Sequence, residues 1–161
     1  MPPLPIPPIN ALSAIATFAV RHVGLRVPDF EASLDWFVKK LDFRVVREWR
    51  HGDLRLAYVA PPADDAFLIE ILGDGSPTSR PVYDDLATSL FEAGYHHVCF
   101  DVPNVDEILA ELRRRDVTIV EEPFEQTAIS RRLAFFADPW GNLFALAQVM
   151  AVRTNGPIQS T

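Results

Sequence analysis

The chain of 161 residues is 48% hydrophobic with a formal net charge of −7, which suits one compact domain or two small halves sharing a core. That acidity, with no basic stripe, excludes nucleic acid and anionic membrane surfaces as partners, and no apolar run is long enough to span a bilayer. The single cysteine, Cys99, excludes an internal disulfide and points to a reducing, cytoplasmic setting.

The first segment, "MPPLPIPPIN", has five prolines in its first eight residues. It reads as an extended arm over 1–17, lying loose or packed on a neighbour. The apolar "ALSAIATFAV" that follows lacks the basic lead of a secretory signal, since the first basic residue is Arg21.

A first module is expected over 18–75. "HVGLRV" is a strand. Asp29 is a helix N-cap, and "FEASLDWFVKKL" puts Phe30, Leu34, Phe37 and Leu41 on one stripe. Three strand-like runs follow: "FRVVREW", "LRLAYVA" and "AFLIEIL". Residues 76–93 link to the second half, with a short helix in "YDDLATSLFEA" ended by Gly94.

The second module, over 94–149, repeats the order. "HVCFDV" is a strand. Asn104 with Glu107 resembles a capping box. "VDEILAELRRR" places Val105, Ile108, Leu109 and Leu112 on one stripe, with Arg113, Arg114 and Arg115 at the end where cations suit the dipole. "VTIVEEPF", "RRLAFFAD" and "NLFALAQV" are strands, the last preceded by the turn "DPWGN". Residues 150–161 form a frayed tail.

A shift of 75 superposes the halves. His22 falls on His97, Val23 on Val98, Val27 on Val102, Pro28 on Pro103, Leu34 on Leu109 and Val45 on Val120. The fold class is α+β: two tandem βαβββ modules forming a curved mixed sheet around a metal or substrate cleft.

Strand alternation puts His22 on a face with Gly24 and Arg26, and His97 with Cys99 and Asp101. It turns His96 away, so His96 is excluded as a ligand. Glu70 stands mid-strand among leucine and isoleucine, where a carboxylate needs a cation or a proton. His22, Glu70 and His97 are the candidate metal ligands. The repeat asks for a carboxylate at 145 and meets Ala145. Tyr58 and His51 are candidates to orient a substrate oxygen or move a proton. Trp49, Tyr58, Phe67, Phe100, Phe135 and Phe136 offer an apolar pocket, and Arg47, Arg50, Arg131 and Arg132 are available at its mouth.

"RHVGLRVPDFEASLDWFVKKLDF", "GYHHVCFDVPNVDEILAELRRRDVTIV" and "FFADPWGNLFALAQ" resemble the vicinal oxygen chelate superfamily of glyoxalase I, bleomycin resistance proteins and extradiol dioxygenases. The resemblance covers roughly residues 18–149 and is greatest to glyoxalase-like and methylmalonyl-CoA epimerase-like members. It implies paired βαβββ modules and a homodimer, in some relatives with sites shared across the subunit interface. It implies a divalent ion (zinc, nickel, cobalt, manganese or iron) held by His22, Glu70, His97 and position 145. It also implies a lyase or isomerase acting on a small vicinal-oxygen substrate through an enolate-type intermediate. In that family the last-strand glutamate serves as both ligand and base, and alanine can do neither. Ala145 therefore means a base placed elsewhere, a non-catalytic binding relative of the bleomycin-resistance type, or an engineered inactive variant. Dioxygenases fit less well, because their carboxylate sits on that last strand.

Overall fold

A computed structural model describes residues 6–150. Part of the arm (1–5) and nearly all of the tail (151–161) lie outside the described residues. From Ile6 to Val20 the chain makes only turns, and Ile9, Leu12 and Phe18 are exposed. Among the described residues no helix is long and apolar enough to cross a membrane.

The elements run β1 (His22–Arg26), α1 (Phe30–Leu41), β2 (Arg44–His51), β3 (Leu54–Ala60), β4 (Leu68–Gly73), α2 (Leu86–Ser89), β5 (His97–Asp101), α3 (Val105–Arg114), β6 (Thr118–Gln126), β7 (Arg131–Ala137) and β8 (Leu143–Val149). The two α+β modules expected from the repeat are present. Each keeps its own four-stranded sheet, ordered β1-β4-β3-β2 and β5-β8-β7-β6. The first and last strands of each module pair parallel, and the remaining neighbours pair antiparallel.

The caps form where the residue types ask for them. Asp29 is extended, and its carboxylate accepts the Ala32 N–H at 3.0 Å. Asn104 Oδ1 accepts from Asp106 N–H and Glu107 N–H at 3.0 and 3.2 Å, which satisfies two orphan donors of the first turn. The linker helix differs from expectation: α2 has four residues, not a run to Gly94. Asp85 caps it, but Leu90 and Phe91 beyond it are exposed. With only Ser89 buried, nothing packs to prolong a helix that is marginal on its own.

Helix α1 buries Phe30, Leu34 and Phe37 as the stripe predicts, and also Trp36. Trp36 stacks on Phe144 of β8 at 6.0 Å, Phe37 meets the same ring edge-on, and Phe43 meets Phe100 of β5 at 5.9 Å. Arg115, just past α3, bonds the Asp42 carboxylate at 2.6 Å. Helix α1 is thus seated on its own sheet and against the second sheet. One core takes the inner faces of both: Ala57, Val59, Ile69 and Ile71 from the first, Ala134, Phe136, Phe144 and Leu146 from the second. The outer faces lie on the far side of each sheet from that core. A second cluster covers the outer face of the second sheet, where Tyr83 and Leu86 of the linker pack on Val120, Phe135, Ala137, Leu143 and Ala145. Gly141 makes this seating possible. Its φ is +83°, and a Cβ there would sit 2.3 Å from the Pro81 carbonyl oxygen.

Candidate metal and substrate site

Pairing register builds the first outer face. Gly24 lies opposite Glu70, Glu70 opposite Tyr58, and Tyr58 opposite Arg47. His22 stands one alternation back on β1, opposite Leu68. Its Nε2 is 3.4 Å from Glu70 Oε2. The Tyr58 ring lies 5.3 Å from the His22 ring, and Trp49 lies 4.6 Å behind Tyr58. Gly24 keeps the carboxylate accessible: a Cβ there would lie 3.6 Å from Glu70 Oε2 and 3.1 Å from Leu72.

The matching row of the second sheet is Cys99, Ala145, Phe135 and Glu121. Ala145 is 1% exposed, inside the apolar cluster under Tyr83. His97 is on this sheet's outer face, with its ring edge-on to Phe135 at 5.1 Å. It also borders a cavity of about 240 Å³ between β1 and β5, with Gly24, Arg26 and Arg80. Burial, and then the neighbouring His96, push the His97 imidazole below the usual histidine range.

The structure brings His22, Glu70 and Tyr58 together. His97 stays with the other sheet, and among the described residues no three His, Cys, Asp or Glu side chains converge on one point. His51 ends β2 opposite Leu54, exposed and away from the pair. The aromatic set divides three ways. Tyr58 lies against His22 with Trp49 behind it, and Phe135 belongs to the second-face cluster. Phe67, Phe100 and Phe136 line a cavity of about 630 Å³ between the modules, which contains neither His22 nor Glu70. Of the four arginines, Arg47 extends the Glu70 row, Arg50 lies opposite Arg55, and Arg131 opposite Val149. Arg132 is engaged by Asp106 at 2.8 Å.

His96 departs from the expectation that it turns away. Its Nδ1 is 2.8 Å from His97 Nδ1, and its Nε2 is 2.9 Å from Ser89 Oγ. Strand β5 begins only at His97, so the alternation rule does not extend back to His96. Nothing in the local sequence marks Ser89 as its partner.

The His22–Glu70 pair suits a divalent ion. Two donors each about 2 Å from one centre lie roughly 3 Å apart, close to the observed 3.4 Å. An imidazole and a carboxylate are donors that zinc, nickel, cobalt, manganese and iron accept. One chain supplies two donors at that place.

Comparison with known proteins agrees with this architecture. The glyoxalase/bleomycin resistance protein/dioxygenase superfamily model matches residues 19–146. An uncharacterized protein of Bacillus subtilis, YwkD, is 24% identical over 122 residues, 75% of this chain and 89% of its own. The crystal structure of SMU.1112c superposes with a TM-score of 0.66 at 27% identity, covering 81% of this chain and 98% of that one. The trypanothione-dependent glyoxalase I of Leishmania major superposes with a TM-score of 0.60 at 23% identity, covering 81% and 86%. The family match spans most of the chain and includes the first sheet with the His22–Glu70 pair and the second sheet as far as Leu146 of β8; this protein belongs to the glyoxalase/bleomycin resistance protein/dioxygenase superfamily.

Proposed function

We propose that the chain is a divalent-metal-dependent, glyoxalase-like lyase or isomerase that removes a proton beside a carbonyl in a small molecule bearing two adjacent oxygens. The observation that carries this reading is the 3.4 Å approach of His22 Nε2 to Glu70 Oε2 on a face where their strand neighbours are glycine and leucine. His22 and Glu70 hold the ion, and a third donor comes from His97. The linker covers the second outer face around Tyr83 but leaves His97 exposed at its edge, where His97 of a second copy of the chain reaches the pair. The working unit is then a homodimer with two equivalent sites. A single free cysteine, Cys99, fits a reducing, cytoplasmic setting.

When bound, the ion supplies a Lewis acid for the two substrate oxygens. The protein does the rest. Tyr58, opposite Glu70 and against His22, orients a substrate oxygen. Trp49 behind it keeps water from that side. Arg47, next in the row, receives an anionic end of the substrate. Ala145 has no titratable group, so the proton is moved from the first face. Tyr58 fits that task by position, whereas His51 stands too far along β2.

Calorimetric titration of metal-free protein with zinc, nickel, cobalt and manganese tests the ligand set. One ion per His22–Glu70 pair is expected, lost in His22→Ala and in Glu70→Gln. Deuterium exchange into 2-oxoaldehyde–thiol adducts and acyl-CoA esters then tests the chemistry. Protein that takes up no ion and exchanges nothing overturns the reading. A second reading, sequestration of a small molecule without turnover, is favoured by the apolar packing around Ala145. It predicts ligand affinity that His22→Ala leaves unchanged.

A further inference from the structure

Ser89, His96 and His97 form a hydrogen-bonded chain whose buried end fixes the direction of every proton in it. Ser89 is 1% exposed. Its Oγ lies 2.7 Å from the Leu86 carbonyl oxygen and 2.9 Å from His96 Nε2. A carbonyl only accepts, and a hydroxyl has one proton. The Ser89 proton therefore goes to Leu86, and the Ser89 oxygen accepts from His96 Nε2–H. A neutral imidazole protonated on Nε2 has a bare Nδ1. That nitrogen lies 2.8 Å from His97 Nδ1 and accepts its proton. His97, protonated on Nδ1, keeps a lone pair on Nε2. Phe135, edge-on at 5.1 Å, holds the ring in plane.

We propose that Ser89 and His96 are positioning residues that lock His97 as its Nδ1–H tautomer and so present Nε2 as an electron-pair donor to the divalent ion. The proposal rests on the reading of His97 as a ligand given above. Residues that touch only a ligand's far nitrogen govern its orientation and basicity in this way. The relay starts in the linker: Asp85 caps the short helix that carries Ser89, accepting the Thr88 N–H at 2.7 Å. Tyr83 is seated on the second sheet a few residues earlier. The 76–93 segment thus covers the second outer face and also orients that face's histidine. No conformational change is required, because every member of the relay is already in contact.

The test uses the metal-free full chain. Long-range proton–nitrogen-15 NMR at about pH 8, above the ordinary histidine range, reads the tautomer of each ring. The expected result is a single His97 tautomer protonated on Nδ1, becoming a mixture in His96→Ala and in Ser89→Ala. His96→Asn, whose side-chain oxygen stands near the place of Nδ1, restores it. Zinc titration of the same variants should show affinity about tenfold lower in His96→Ala and recovered in His96→Asn. A wild-type His97 protonated on Nε2, or one indifferent to His96→Ala, overturns the proposal. If the tautomer behaves as expected and zinc still does not bind, the positioning relay stands and the metal reading fails.

Discussion

Across the outer face of the first sheet the register runs Gly24, Glu70, Tyr58, Arg47; across the second it runs Cys99, Ala145, Phe135, Glu121. The backbone is the same scaffold used twice, and the inner faces stay apolar in both. Only the outer faces diverge. The first places a carboxylate beside a histidine, at 17% and 35% side-chain exposure. The second packs alanine and phenylalanine under Tyr83. A repeat conserves what holds the fold and leaves the opposite surface free to change, so a carboxylate persists only where a basic partner and solvent meet it.

Exchanging the two surfaces is the sharpest way to break this comparison. Ala145→Glu puts a charge without a partner among Tyr83, Val120, Phe135, Ala137 and Leu143, and should cost about 4 kcal/mol in metal-free protein by urea denaturation. If stability is unchanged, the second face is not the closed apolar surface described here. Stripping its cover is a milder version. Tyr83→Ala removes a ring packed on that face and a hydroxyl bond to Glu92 at 3.1 Å; the expected loss is about 3 kcal/mol, read from the shift in urea midpoint.

The fold was legible because period-two strands, two stripes and the 75-residue shift all agree. The His22–Glu70 pair was legible for a related reason: alternation on β1 and β4 is enough to place both on one face. Trp36 was not legible, since it lies off the stripe of Phe30, Leu34, Phe37 and Leu41. Its reason for burial is Phe144, a residue of the other module. Nor was Tyr83: a tyrosine in a proline-containing linker has no periodicity to show that it covers a strand face. His96 was misread because alternation was carried one residue past the end of β5. Wherever the cause lies in a contact between modules or with a loop, local pattern is silent.

The hairpins ahead of each last strand sharpen the contrast further. Asp138, before β8, is 1% exposed and accepts from Trp140 N–H, Asn142 N–H and Asn142 Nδ2–H at 2.9, 2.9 and 2.7 Å. The Asp64 carboxylate, before β4, accepts only the exposed Ala66 N–H among the described residues, at 2.8 Å. Asp138→Ala strands buried donors and should cost about 2 kcal/mol, whereas Asp64→Ala should change stability by less than about 0.5 kcal/mol. Burial pushes the Asp138 carboxyl up against the lowering effect of its Asn142 and Trp140 bonds. A raised folded value means the native state holds this proton more tightly than the unfolded chain. Its contribution is full below the unfolded carboxylate range and declines as pH rises through the folded value. The advantage of wild type over Asp138→Asn should therefore shrink as pH rises out of the ordinary carboxylate range; an advantage that grows instead would mean the bonds outweigh the burial.

An equally small effect on stability belongs to the residue assigned the largest role. Glu70→Ala gives the first face the residue of the second. Among the described residues the carboxylate has only the partly exposed His22 for a partner, and a polar contact of that exposure contributes little. A change of no more than about 0.5 kcal/mol is expected, set against complete loss of ion uptake in the same preparation. A residue whose removal leaves the fold indifferent and the ion unbound is kept for the ion. If Glu70→Ala instead unfolds the chain while wild type takes up no metal, Glu70 belongs to the architecture, and the two outer faces differ in packing alone.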